Sequence, residues 1–417
     1  MRTWRLKLSL FLNYFVFAVL LNSVGTVILQ VQRNYGVSES AASVLEPCKD
    51  LSIATFSFIV ASCLTRLGYK RAMLLALGCI ALVCLLMPGL PGFGMTKLLF
   101  IAVGANFAFI KISVYSTIGL VTSGAKGHAS LMSFIESFFM IGIVAGYFIF
   151  GAFTNNAAAS STAWLNVYYV LAGLAGAAFL LLLTAPLDES AVRAPGSQGW
   201  GEDFGAIFRM VLTGLVGVFI ASVFFYVLIE QSIMSWLPTY NSKVLHLPAK
   251  LSIEMASILA ASTALGRFIA GFVLRRLAWF PFLMMCLAGA AALVLIALPL
   301  ARTAGAVQVT GWGDAPLAAF IFPMIGFFIA PIYPVINSAA LSALPAQKHG
   351  VMSGLSVIFS ALGGTCGSLI TGRVFQSYGG QTAFYLSLVP MAALFVCLIL
   401  FNRLHRRAIF GVPAPAS

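Results

Sequence analysis

The residues of this sequence able to do chemistry are ionisable side chains set among apolar neighbours. Lys111 interrupts LLFIAVGANFAFIKISVYSTIGLV, with Ser113 and Tyr115 close by, and Glu230 interrupts VFFYVLIEQSIMSWLP beside Gln231. Glu46, Lys49 and Asp50 cluster in another run, where offsets of three and four put Glu46 on one helical face with both partners. Glu136 and Arg267 stand singly in LMSFIESFFM and TALGRFIAG. A charge at the centre of a bilayer costs at least about 2.5 to 3.5 kcal/mol and is rarely kept without a task. Lys111 suits an anionic or carbonyl-bearing group of a ligand, or a permanent pair with a carboxylate that locks two helices together. Glu230 suits a proton carrier, since a carboxylate shielded from water can hold a proton and release it when water returns. Its other reading is an outer-half residue that merely faces water. The trio is either a self-neutralised network or gate around Lys49, or a second protonation site at Asp50 with Glu46. Glu136, Arg267 and Arg66 are expected as gate contacts near helix ends.

Polar and aromatic neighbours extend this set. Tyr333 and Asn337 lie one turn apart beside Pro331 and Pro334, whose missing N–H donors loosen a helical ladder. Trp236, Tyr240 and Tyr226 offer rings for stacking on a ligand, or an interfacial belt. The binding residues expected are Lys111, Tyr115, Asn22, Gln231, Tyr333, Asn337 and Trp236.

The elements that must position them are apolar runs long enough to cross a bilayer. Of 417 residues 61% are hydrophobic and only 8% charged, and the mean hydropathy is +1.01. A soluble domain carries roughly 25% charged residues. At 1.5 Å per residue, runs of about twenty residues cross a hydrocarbon core about 30 Å thick. Spans are expected near 9–32, 41–64, 72–91, 97–121, 131–153, 163–185, 212–240, 252–274, 280–300, 316–341, 351–372 and 380–402. With both termini cytoplasmic, fifteen Lys and Arg fall on the inner side and six on the outer, which fixes that orientation by the positive-inside rule. The net charge of +13 is then a topology signal rather than a nucleic-acid footprint. The basic, apolar N-terminus runs on too far for a signal peptide and reads as the first span.

A polar stretch, DESAVRAPGSQGWGED, separates six spans from six. It reads as a linker (188–208) between helical bundles over 1–187 and 209–417. An internal repeat agrees. The segment from Gly104 aligns without gaps to that from Gly326, setting Lys111 opposite Tyr333, and AKGHASLMSFIES from Ala125 parallels AQKHGVMSGLS from Ala346. Arg66 and Arg276 end the second and eighth spans, and Asn22 and Ser23 lie opposite Gln231 and Ser232. The expected fold is an all-α polytopic membrane protein of twelve helices in two pseudo-symmetric six-helix bundles, and such repeats place the site at their interface.

In these features the chain resembles the major facilitator superfamily. Arg66-Leu-Gly-Tyr-Lys-Arg71 looks like its basic loop signature, with Ala61, Thr65 and Tyr69 where the family has glycine, aspartate and arginine. The stretch from Phe225 to Tyr240, with Pro331-Ile-Tyr-Pro334, is similar to the fucose-permease and TsgA-like branch. That resemblance implies proton-coupled uptake of sugars or similar solutes, although Lys111 stands near the branch's usual acid on span four. Multidrug antiport fits less well: Phe100 replaces the arginine four residues before Gly104, and Gly142-Ile-Val-Ala-Gly146 lacks the Gly-Pro pair.

No nucleotide loop, HExxH or GxSxG motif occurs. The four histidines lie in or near loops, and most of the seven cysteines are scattered through apolar runs without metal-binding spacing. Neither enzymatic activity nor a cofactor is expected. The resulting reading is a monomeric secondary transporter of the bacterial inner membrane, taking up a small polar solute with protons by alternating access. Export of a metabolite or drug-like compound is the alternative, and a channel or receptor the non-transporting one.

Overall fold

The computed structural model describes residues 3–121, 124–154, 156, 161–187, 214–302, 309–342 and 349–410. Among these residues every regular element is helical. The expected linker at 188–208 lies outside them. The chain divides into two compact units, Met1–Ser197 with Leu247–Ser257, and Gln198–His246 with Ile258–Ser417.

In the first unit, span one is α1 (Thr3–Asn22) continued by α2 (Val24–Tyr35), and spans two to five are α3 (Leu45–Leu67), α4 (Tyr69–Gly89), α5 (Phe93–Val121) and α6 (Gly124–Ala152). Span six is α7 (Val167–Thr184), entered by a 3₁₀ turn at Thr162–Asn166. In the second half, span seven is α8 (Gly214–Met234) with α9 (Leu237–Lys243), span eight α10 (Ala249–Met255) with α11 (Ser257–Val273), and span nine α12 (Trp279–Arg302). Span ten is built from α13 (Ala318–Ile321), α14 (Ile325–Ile329) and α15 (Ile332–Ser342), span eleven is α16 (His349–Tyr378), and span twelve is α17 (Gly380–Tyr385) with α18 (Leu388–Phe410).

Among the described residues, eleven helical stretches are long and apolar enough to cross a membrane. Span two, α3, has 23 residues and so reaches about 34 Å, with Glu46, Lys49 and Asp50 in its first turns. The breaks have local causes. Pro238 enters α9 without an N–H to give, so α8 stops before it. Pro323 and Pro331 cut span ten into short pieces, joined by a 3₁₀ turn at Phe322–Met324. The first span starts at Thr3 rather than at residue 9, because the basic segment around Arg5 and Lys7 stays helical.

Packing repeats between the halves. In the first unit α1 lies against α6 and α7, and α4 against α5 and α7; in the second, α8 lies against α16 and α18, and α12 against α14 and α18. Glycines let these backbones meet. Gly142 faces Phe15 and Ala18 of α1, and Gly363 faces the Phe224 carbonyl of α8, the close approach that small residues permit where lipid replaces water. Exposed leucines such as Leu75, Leu82 and Leu86 on α4 mark a face left for lipid. Gly68 turns the chain between α3 and α4 at φ 84°, a conformation glycine adopts freely. Just past it, Lys70 donates to the carbonyls of Leu183 (3.1 Å) and Ala185 (2.7 Å), capping α7 where a cation is favoured. The segment holding α10 packs with the first unit, on α6, and its Lys250 N–H donates to Asn156 at 2.9 Å.

Candidate functional site

Each unit carries its own polar centre. In the second, the Glu230 carboxylate on α8 accepts a hydrogen bond from Tyr226 at 2.7 Å and lies 3.9 Å from the Arg267 guanidinium on α11. Tyr226 and Glu230 are four residues apart, so one helical face presents both. The Tyr226 ring stacks on Tyr333 of α15, with centroids 5.6 Å apart. The Tyr333 hydroxyl meets Ser356 of α16 at 2.9 Å, Ser356 donates to Asn337 at 3.2 Å, and Asn337 donates to the Tyr333 carbonyl at 2.8 Å. A chain of contacts thus runs from Arg267 through Glu230 to Tyr226, across the ring stack to Tyr333, and on to Ser356 and Asn337, joining four spans.

Arg267 also borders a cavity of about 600 Å³ in this unit, walled by Leu274, Trp279, Val335, Ser338 and His405. The cavity has a structural origin. Gly266 meets the Phe327 carbonyl, and Gly326 meets Leu259 and Thr263, so spans eight and ten cross tightly there. Arg267 stands immediately past that crossing, beside the opening between α11 and α15.

In the first unit, Phe107, Lys111 and Tyr115 follow one another at four-residue steps on α5, which aligns them on one face. Lys111 is exposed, with its ammonium 5.9 Å from the centre of the Phe107 ring. Among the described residues it forms no ion pair. The Tyr115 hydroxyl donates to Glu136 of α6 at 2.5 Å, and the Tyr14, Tyr115, Phe107 and Phe139 rings form a connected set with centroids 5.7 to 6.3 Å apart.

The Glu46, Lys49 and Asp50 trio is a third, buried cluster. Lys49 bonds Glu46, lies 3.5 Å from Asp50, and donates to the Leu21 carbonyl at 3.5 Å. All three are nearly sealed from solvent, so each charge depends on the others.

The remaining expected residues make other contacts. Asn22 donates to its own helix at Ala18 (2.9 Å), and Gln231 accepts from Ser235 at 3.5 Å. Trp236 is fully buried, donating to Ser368 at 3.3 Å and packing on Phe375. The Arg66 side chain lies outside the described residues. The sequence singles out none of Tyr14, Phe107, Phe139 and Ser356. Tyr14 gives no signal beyond being one more aromatic in an apolar helix, and Ser356 is a lone hydroxyl. Its place in the repeat, beside the counterpart of Glu136, was the available clue.

Comparison with known proteins follows the same lines. The family model described as Major Facilitator Superfamily matches residues 10–368. The Protein TsgA homolog of Buchnera aphidicola subsp. Baizongia pistaciae (strain Bp) is 23% identical over 304 residues, covering 71% of this chain and 69% of that protein. Among solved structures, the nucleoside transporter NupG superposes with a TM-score of 0.72 at 15% identity, over 95% of this chain and 99% of its own. A D-xylose-proton symporter superposes with a TM-score of 0.72 at 13% identity, over 95% and 97%. The family match spans both repeated halves, and the same helical architecture carries the resemblance to these transporters: the chain belongs to the Major Facilitator Superfamily.

Proposed function

We propose that this protein is a secondary transporter of the bacterial inner membrane, with both termini cytoplasmic, that takes up a small polar solute together with protons. The observation that carries this reading is the Glu230 carboxylate held between the Tyr226 hydroxyl and the Arg267 guanidinium beside an open cavity. Deprotonated Glu230 balances Arg267. A proton on Glu230 cancels that attraction and frees the guanidinium, so the charge state of one carboxylate reaches α8 and α11 together. Tyr333, Ser356 and Asn337 extend from the same place and offer donors and acceptors to a solute's hydroxyl or carboxyl groups. In the first unit, Lys111 and Tyr115 are that unit's own candidates for contact with a solute.

Two relatives in fold are named for a nucleoside and for D-xylose with protons, which supports a compact solute with polar groups. In this reading Glu46, Lys49 and Asp50 lock span two to span one through the Leu21 carbonyl, and Glu136 orders span five through Tyr115.

The test is flux in proteoliposomes with uridine, D-xylose and small carboxylates as labelled probes, with and without an inward proton gradient. At least one probe should accumulate only with the gradient. Glu230→Gln should abolish that accumulation while leaving exchange of the same probe between the two sides. Full gradient-driven uptake by Glu230→Gln would remove Glu230 from coupling.

A further inference from the structure

Resting on that reading of a solute transporter, we infer that its substrate is a planar aromatic monocarboxylate, its carboxylate received by Lys111. Three observations converge on α5. The ammonium of Lys111 is exposed and makes no ion pair among the described residues, whereas Lys49 is neutralised by buried carboxylates and Arg267 by Glu230. Lys111 is also deep. It lies eighteen residues into α5, about 27 Å from that helix's start, and its neighbour Tyr115 packs by Tyr14, eleven residues into α1. At that depth a charged head is tolerated only where water or a ligand reaches it.

The second observation concerns the rings beside it. Phe107 and Tyr115 stand one turn to either side of Lys111, and Phe139 of α6 joins them. All three are half-buried, with part of each ring open, whereas Tyr14 behind them is covered. Open aromatic surface beside a cation is complementary to a flat apolar body that ends in an anion. The ring offers dispersion and edge-to-face contact, and the carboxylate replaces the weak cation–π contact of Lys111 with Phe107 by a charge-assisted hydrogen bond. A sugar would leave the ammonium without a counter-charge.

The third observation sets the number of charges. Glu136, the neighbouring acid, is held by Tyr115 at 2.5 Å. A second carboxylate on the substrate would lie against it and be repelled, so one negative charge is preferred to two.

The experiment is a ligand-dependent thermal-stability titration of the purified, full-length protein, since a ligand that binds the folded state raises its melting temperature by mass action. The probes are benzoate, 4-hydroxybenzoate and indole-3-acetate, set against benzamide, cyclohexanecarboxylate, phthalate, uridine and D-xylose. At least one aromatic monocarboxylate should bind about tenfold or more tightly than each control. Lys111→Gln should lose that preference, and Lys111→Arg should keep most of it. Lys111 has no ion pair to lose among the described residues, so the ligand-free melting temperatures should stay close to that of the parent. The ligand series on the unaltered protein decides the matter even where a variant is not recovered. Equal binding of benzamide, or stronger binding of phthalate, uridine or D-xylose, overturns the inference, as does no response to any aromatic carboxylate. Binding of uridine or D-xylose alone would leave the transport reading intact. Carboxylate binding without gradient-driven flux would instead retain the ligand class and remove proton-coupled uptake.

Discussion

Gly104 and Gly326 hold the same place in the two halves, each where a span of one sequence repeat crosses its neighbour backbone to backbone. A Cβ on Gly104 would press on the Lys49 carbonyl and come within 2.9 Å of Ser52; one on Gly326 would come within 2.6 Å of Thr263 and 2.7 Å of the Leu259 carbonyl. In both places a backbone carbonyl, of Lys49 or of Leu259, stands in the way and cannot swing aside. Gly104→Ala and Gly326→Ala should therefore each destabilise the protein by about 1 to 3 kcal/mol, the usual cost of overpacking. Gly173→Ala is the control, because its Cβ would meet nothing within 4 Å, and it should be neutral or slightly stabilising. Thermal unfolding of the three purified variants checks this, and equal melting temperatures would mean that the crossings relax.

That pair also illustrates what a sequence can disclose. The repeat is readable because backbone crossings demand small residues at fixed positions, so Gly104, Gly142 and Gly146 recur as Gly326, Gly363 and Gly367. Span positions are readable because lipid demands apolar length. The partner of Glu230 is not. Arg267 reads as a gate contact near the end of span eight, and its approach to Glu230 at 3.9 Å depends on how spans seven and eight turn against each other, which helical offsets do not carry. Helical offsets disclose Glu46 with Lys49 and Tyr226 with Glu230, both pairs local in the chain. They cannot disclose Tyr115 with Glu136 or Tyr333 with Ser356, which depend on how separate helices rotate against each other.

Lys49 stands between two buried carboxylates and is itself almost sealed from solvent. Lys49→Met should be among the most damaging single substitutions in the first unit, of order 3 to 5 kcal/mol, because it removes the buried cation between Glu46 and Asp50. Adding Glu46→Gln and Asp50→Asn to Lys49→Met should restore much of the loss, since the triple variant buries no charge. Fluorescence-detected size-exclusion profiles after heating would rank the variants, and a Lys49→Met variant as stable as the parent would show that water reaches the trio.

For Arg267 and Glu230 the expected coupling is smaller. Their side chains are 38% and 19% exposed and 3.9 Å apart, so water screens much of the attraction and about 1 kcal/mol is a fair ceiling. Arg267→Gln and Glu230→Gln together should lower the melting temperature by less than the sum of the two single changes. Strict additivity would mean that the pair does not hold α8 and α11 together.

Ser356 has a role that stability measurements alone would miss. Its hydroxyl meets Tyr333 and donates to Asn337, so it fixes two side chains that belong to another span. Ser356→Ala removes one oxygen, leaves both neighbours with other local contacts, and frees the Tyr333 hydroxyl to turn. The expected outcome is a KM for the transported solute raised several-fold, with maximal flux and dependence on the proton gradient little changed, because Glu230, Tyr226 and Arg267 are untouched. A fall in maximal flux at unchanged KM would instead place Ser356 in the moving contacts between α15 and α16.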